Sequence, residues 1–238
     1  MAGYRLVLWD VDHTLIASGG VGGSISEEAF LKVTGHRQEH HPNVSGRTER
    51  AILAESCRLH GLDPDEYHFE DYADALAEGY VRRAGELRER GHALPGAASV
   101  LDAMAKLDGV RQTVVSGNVR RVAEIKLQVF GLDRRIDFGI GAYAEDSDVR
   151  ADLVRTAYGR ATTADGLIYG IGEALVVGDT PSDIEAAHQA GAVALGVATG
   201  KSSMAELREA GAEAVLADLT GTDRLVGMIR DGLGVQTS

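Results

Sequence analysis

Cysteine, positive charge and long apolar runs are all scarce in this chain of 238 residues. Cys57 is the single cysteine, so an internal disulfide is excluded, a cysteine zinc site lacks its ligand set, and a reducing, cytoplasmic setting fits. No stretch approaches the ~18 apolar residues of a membrane span. The chain enters its first apolar strand without a basic and apolar leader, which predicts neither export nor an anchor. The 24 Lys and Arg stand against 36 Asp and Glu, for a formal net charge of -12. Nucleic acid and anionic membrane both reward clustered cations, and no basic stripe is visible, so neither is an expected partner. No internal repeat or coiled coil is present, and the tail after Gly232 is expected to fray. Nothing in the sequence specifies an oligomeric state.

What is present is an alternation of short apolar runs, bounded by Gly, Asp or Ser, with stretches of helical period. That is the pattern of an α/β protein with a doubly wound parallel sheet. The expected strands are Arg5–Trp9, Gln112–Ser116, Asp137–Ile140, Leu175–Gly178, Ala192–Val197 and Ala214–Leu216. Between the first two, only helical segments are found, the clearest being Glu49–His60 closed by Gly61 and Glu70–Arg90 closed by Gly91. This reads as an inserted α-helical cap over 19–87, with the core formed by 1–18 and 88–238. The glycines of Ser18–Gly23 are expected to make a flexible hinge, with Ser24 and Glu27 at capping-box spacing behind it.

In such sheets, ligands bind beyond the carboxyl ends of the strands. The first strand ends in Asp10 and Asp12, and the run Ala174–Gly178 ends in Asp179 and Asp183. An uncompensated buried charge costs several kcal/mol by order of magnitude, so carboxylates gathered at strand ends call for a cation. After the second strand come Ser116, Gly117 and Asn118, leading into a helix over Val119–Phe130. A hydroxyl and free backbone N–H groups at a helix N-terminus favour a phosphate. Together these point to Mg²⁺ and a phosphoryl group.

The chain resembles the haloacid dehalogenase superfamily of phosphatases, in the phosphoglycolate-phosphatase-like branch with a helical cap. Asp10-Val11-Asp12-His13-Thr14-Leu15 matches the first motif, D-x-D-x-T-L; Ser116 matches the second; Gly178-Asp179-Thr180-Pro181-Ser182-Asp183 matches the fourth, G-D-x-x-x-D. The resemblance implies that Asp10 is the nucleophile and a metal ligand. Asp12 is implied as general acid/base, with its backbone carbonyl on the metal. Asp179 is implied as a direct ligand and Asp183 as an outer or water-mediated one, with Gly117 and Asn118 binding substrate. The activity implied is Mg²⁺-dependent hydrolysis of a small phosphorylated metabolite through an aspartyl-phosphate, Asp12 being held protonated for the first step. The third motif departs from the pattern. Relatives place a Lys there, whereas Glu145–Leu153 contains none. Arg150 is the expected substitute, ahead of Lys126, whose position reads as a solvated helix face.

Each feature has a plainer reading. Asp-x-Asp alone is a solvated turn, Ser116 and Asp183 are ordinary helix caps, and Arg47, which the resemblance points at a substrate carboxylate, equally fits an exposed helix start. The segment Gly196–Ser202 imitates a P-loop with one residue too few between its glycines. His36, His40 and His41 read as a solvated loop and Cys57 as a buried cap residue. A phosphomutase or phosphotransferase using the same intermediate stays open, as does an inactive binding protein of the same fold. A receiver-like signalling domain fits less well, because it would carry no acid two residues past its phospho-acceptor.

Overall fold

The computed structural model describes residues 3–165 and 170–232; the tail expected to fray lies outside them. In chain order the core strands and their covering helices begin with β1 (Leu6–Trp9), after which β2 (Ile16–Ala17) leads into α1 (Val21–Thr34), α2 (Glu49–Leu59), α3 (Phe69–Arg82) and α4 (Ala84–Arg90). The chain returns through β3 (His92–Ala93) to α5 (Ala97–Met104), β4 (Arg111–Val114), α6 (Arg120–Val129) and α7 (Arg150–Asp165). It finishes with β5 (Ala174–Gly178), α8 (Pro181–Ala190), β6 (Val193–Val197), α9 (Met204–Glu209), β7 (Ala214–Leu216) and α10 (Thr222–Asp231).

Strands β4-β1-β5-β6-β7 form one sheet in that order, all parallel. β1 is apolar at every position because both of its faces are covered. Val7 and Trp9 pack with residues of α5, α6 and α10, while Leu6 and Leu8 pack with residues of α7, α8 and α9. The one indole donates to Gln112 Oε1 at 3.2 Å, and the Gln112 amide donates to the Leu101 carbonyl at 2.8 Å, so the polar atoms of this core are paired. The winding reverses at β1, whose neighbours β4 and β5 come later in the chain on opposite sides. A crevice therefore opens beyond the carboxyl ends of these three strands.

Helices α1 to α4 lie between β2 and β3, which pair antiparallel, Ile16 with Ala93 and Ala17 with His92. Their apolar side chains form a separate cluster that includes Ile25, Phe30, Cys57, Leu76 and Leu87, and it closes on Val119, Val122 and Ile125 at the start of α6. No helix among the described residues is long and apolar enough to cross a membrane.

Four local expectations fail. Asp137–Ile140 is not a strand; Asp137 makes single backbone and side-chain bonds to β4 and a 2.5 Å pair with Arg111, and the only ladder contact here is the bridge Val115–Ala142. The helix expected over Glu70–Arg90 breaks at Arg83, whose φ of -103° and ψ of 18° leave the helical region and redirect α4. Gly22 and Gly23 belong to α1 rather than to a hinge, and the crossing is made by β2 and β3. The Ser24–Glu27 capping box is absent, since Ser24 lies inside α1 and donates back to the Val21 carbonyl at 3.1 Å.

Helix α1 packs closely on α3. A Cβ at Gly79 would stand 2.5 Å from Cγ2 of Ile25, a fully buried side chain that is stiff because it is β-branched. Gly79→Ala is therefore expected to destabilise by about 1–3 kcal/mol through overpacking, although Ala is the better helix former. Urea unfolding measures it, and a gain in stability would contradict this packing.

Candidate active site

The crevice is built by loops that leave four elements. Asp10 directly follows β1, its N–H still donating to the Val177 carbonyl at 2.9 Å, so the strand ladder fixes the carboxylate. The turn behind it folds back on itself, Leu15 and Ile16 both donating to the Val11 carbonyl, and His13 adopts a left-handed φ of 61°. A non-glycine residue there is uncommon and marks a constrained turn. Asp179 follows β5, adjacent to β1, and Thr14 Oγ1 donates to it at 3.4 Å.

Asp183 has two jobs. Its Oδ2 accepts from the backbone N–H and the hydroxyl of Thr180, at 3.0 and 2.7 Å, capping α8. Its Oδ1 accepts from Arg150 Nε at 2.8 Å and from Nη2. The same Nη2 donates to Asp10 Oδ1 at 2.7 Å. Arg150, the first residue of α7, thus spans the nucleophile candidate and the fourth-motif acid.

Ser116 Oγ accepts from the Asn118 side-chain amide at 2.8 Å. That amide also donates to Asp12 Oδ2 at 2.7 Å. Lys126 Nζ donates to Asp12 Oδ2 and Asn118 Oδ1, both at 2.7 Å, and lies 5.1 Å from the centre of the Tyr80 ring. With 4% of its surface exposed, Lys126 is not on a solvated helix face. Helices α3 and α4 cover that face of α6, and one ammonium meets the second acid of the first motif much as Arg150 meets the first.

Charge sorts these acids into two groups. Burial, reinforced by Asp183 and Asp12 against the opposing pull of Arg150, pushes Asp10 up to about 7. Burial with Asp10 and Asp183 pushes Asp179 up to about 8. For Asp12, burial is outweighed by Lys126 and the Asn118 amide, and its carboxyl lies below the ordinary value. Asp12 is therefore held as a carboxylate here, contrary to the expectation of a protonated acid. Asp10, Asp179 and Asp183 each bring a carboxylate oxygen within 4.8 Å of the other two. Once ionised, three buried carboxylates facing one guanidinium leave negative charge in excess, and an all-oxygen donor set suits a hard cation such as Mg²⁺.

The cap supplies the roof. The Glu49 N–H donates to the Gly117 carbonyl at 2.7 Å. A Cβ on Gly117 would stand 2.2 Å from the Arg47 carbonyl oxygen, so there backbone meets backbone and only glycine fits, and one on Gly46 would stand 2.6 Å from the Ser182 side chain. The cavity enclosed is about 270 Å³ and is lined by Asp10, Asp12, Ser116, Arg150, Asp179 and Asp183, together with residues the sequence did not single out: His13, Glu49, Tyr80 and Lys201. Arg47 lines it too, but its guanidinium donates to the Asn43 and Ala51 carbonyls at 3.4 and 3.2 Å. Lys201 belongs to the P-loop-like stretch and faces the cavity without being a phosphate loop. The signal for Glu49 was its place beside Thr48, the side-chain cap of α2.

Residues 7–188 match the haloacid dehalogenase-like hydrolase family, and the chain belongs to that family. Comparison with curated proteins gives no match. Among solved structures, the chain is similar to a hydrolase from Pseudomonas syringae, with 23% identity, 95% of this chain and 99% of that one covered, and a TM-score of 0.67. It is similar to a predicted phosphoglycolate phosphatase from Haemophilus somnus 129pt, with 19% identity, 94% and 99% coverage and a TM-score of 0.63. A family hydrolase from Deinococcus radiodurans R1 with bound phosphate and sodium is also similar, with 21% identity, 98% coverage of each chain and a TM-score of 0.57.

The Lys126–Asp12 pair generates a stability prediction. Lys126→Ala leaves Asp12 without its cation and is expected to cost about 1–3 kcal/mol, the partial exposure of Asp12 keeping it below a fully buried pair. A carboxyl whose folded value is depressed gives stability that is present above its ordinary 3.8 and lost as pH falls through the folded value. The deficit of Lys126→Ala should accordingly shrink in acid. Urea unfolding across pH tests both points; a change within about 0.5 kcal/mol at neutral pH would restore the solvated-face reading.

Proposed function

We propose that this protein is a Mg²⁺-dependent phosphatase that hydrolyses a small phosphorylated metabolite through an aspartyl-phosphate on Asp10. The observation that carries the reading is the pairing of Arg150 with Asp10 beside two further buried carboxylates. That arrangement holds an anionic nucleophile and a fixed cation against one point of the cavity. Asp10, Asp179 and the Asp12 backbone would hold the metal, with Asp183 behind them. What the metal supplies when bound is positive charge on the transferring phosphoryl oxygens.

Asp10 attacks phosphorus in line, and the P–O bond to the alcohol breaks as the Asp10–P bond forms. The guanidinium of Arg150 and the Ser116–Asn118 turn neutralise and orient the transferring group. Asp12 gives the leaving oxygen its proton. Although Lys126 keeps Asp12 ionised in the free site, a phosphate dianion placed against it raises its proton affinity, because like charges disfavour one another. After the alcohol leaves, Asp12 as a carboxylate is the base that takes a proton from the attacking water, and Lys126 stabilises it in that form. The roof formed by the cap loop excludes bulk water during the first step. The cavity of about 270 Å³ restricts the alcohol to a small one, and the absence of a basic stripe agrees with a metabolite rather than a nucleic acid. Transfer to a second alcohol would use the same first step, and release of inorganic phosphate distinguishes the two.

p-Nitrophenyl phosphate with Mg²⁺ tests this directly. Phosphate release that stops in excess chelator is expected. Asp10→Asn should abolish turnover at unchanged unfolding temperature, and Arg150→Ala should lose about a hundredfold in kcat. Full activity in chelator, or in Asp10→Asn, would overturn the reading.

A further inference from the structure

Glu49 is the acid of the site that the steps above leave unused. It opens α2 next to the Thr48 cap, whose hydroxyl accepts from the Ala51 N–H at 3.2 Å, and its own N–H is tied to Gly117. The residue is therefore pinned to the loop that carries Ser116. Its carboxylate lines the cavity and has no hydrogen bond or ion pair with any described residue. Lys201 lines the same cavity, while the cations of α2, α6 and the loop before α2 are committed elsewhere. Lys126 is bonded to Asp12 and Asn118, Arg47 to two backbone carbonyls, and Arg50 lies over the Phe69 ring at 4.2 Å.

The position of Glu49 matters as much as its freedom. It lies within electrostatic reach of Lys126 and Asp12, and Tyr80 feels the same three charges. Asp12 is the residue that meets the leaving oxygen, so the carbon skeleton of the alcohol leaves the phosphoryl group toward Glu49. We propose that Glu49 selects the leaving alcohol, accepting a hydrogen bond from a hydroxyl or ammonium group close to the phosphate and rejecting a carboxylate there.

The proposal rests on the phosphatase reading and narrows it to polyol, sugar or amino-alcohol phosphates over phosphorylated acids. A carboxylate accepts only, so a donor on the ligand completes it, while a second carboxylate meets like charge in a desolvated space. Burial, opposed by Lys126, pushes the Glu49 carboxyl up to about 7; a donor from the ligand stabilises its ionised form.

The test compares kcat/KM for glycerol 1-phosphate, phosphoethanolamine and 2-phosphoglycolate in the wild type, Glu49→Gln and Glu49→Ala. The wild type should prefer the better of the two donor substrates to phosphoglycolate by at least about tenfold, and which of the two is better tells hydroxyl from ammonium. Both variants should narrow that ratio, chiefly through KM for phosphoglycolate; a ratio taken within one protein is insensitive to losses common to all substrates. Phosphoglycolate as good as the donor substrates in the wild type would overturn the proposal, since Glu49 would then act as a protonated donor. An unchanged ratio in variants that unfold at the wild-type temperature would overturn it too. Hydrolysis of p-nitrophenyl phosphate separates the two levels: with it intact, such results sink the role of Glu49 alone, whereas its absence removes the phosphatase reading and this inference with it.

Discussion

Two neighbouring parallel strands, β1 and β5, end side by side in buried carboxylates, and the surrounding structure is arranged around the repulsion this creates. Burial raises the proton affinity of both Asp10 and Asp179, Asp10 raises that of Asp179 further across the strand pair, and Asp183 adds to both. One guanidinium, Arg150, bridges Asp10 and Asp183. Breaking such a pair strands a charge, at about 3–5 kcal/mol, so the first turn of α7 and the cap of α8 are tied to the end of β1. The charge left over once these carboxyls ionise would make the cluster a receptor for a hard cation.

The second acid of the first motif is managed differently. Asp12 has its own cation and its own amide, Lys126 and Asn118, and both come from the segment after β4. Burial outweighs Arg150 at Asp10, whereas Lys126 and Asn118 outweigh burial at Asp12, so two nearby carboxylates have raised and lowered proton affinity respectively. A cation on Asp10 and a phosphate dianion beside Asp12 would shift both in the opposite direction, because opposite charge favours the ionised form and like charge disfavours it. The loop between α1 and α2 completes the site, its Arg47 backbone lying against Gly117 after β4 and its Gly46 against the side chain of Ser182 at the start of α8.

Much of the core was legible in the sequence, because strands buried on both faces read as apolar runs and their polar ends read as site residues. The five strands of the sheet, Asp10, Asp12, Ser116, Asp179 and Asp183 all emerged that way, and so did Arg150, from the one motif that departed from its pattern. Asp137–Ile140 misled because an apolar run records burial and not hydrogen-bond partners. Lys126 misled for a related reason. Helical period separates a buried face from an outward one, and on α6 the outward face is covered by the inserted cap. The same blindness hid Glu49 and Tyr80, which acquire neighbours only when cap and core meet. Local sequence carries the pattern of a surface, and tertiary contact decides what lies on it.

The central claim is that the carboxylate cluster, once ionised, carries more negative charge than Arg150 balances and would therefore take up a hard cation. Calorimetric titration with Mg²⁺ in buffers of different ionisation enthalpy measures this most directly, because ligation requires the ionised forms of Asp10 and Asp179, held up at about 7 and about 8. The expected result is one-site binding that releases protons at neutral pH, tightens between about pH 6 and pH 8 as those carboxyls ionise, and weakens sharply in Asp179→Asn. Absence of binding, or equal binding by Asp179→Asn without proton release, would contradict the account.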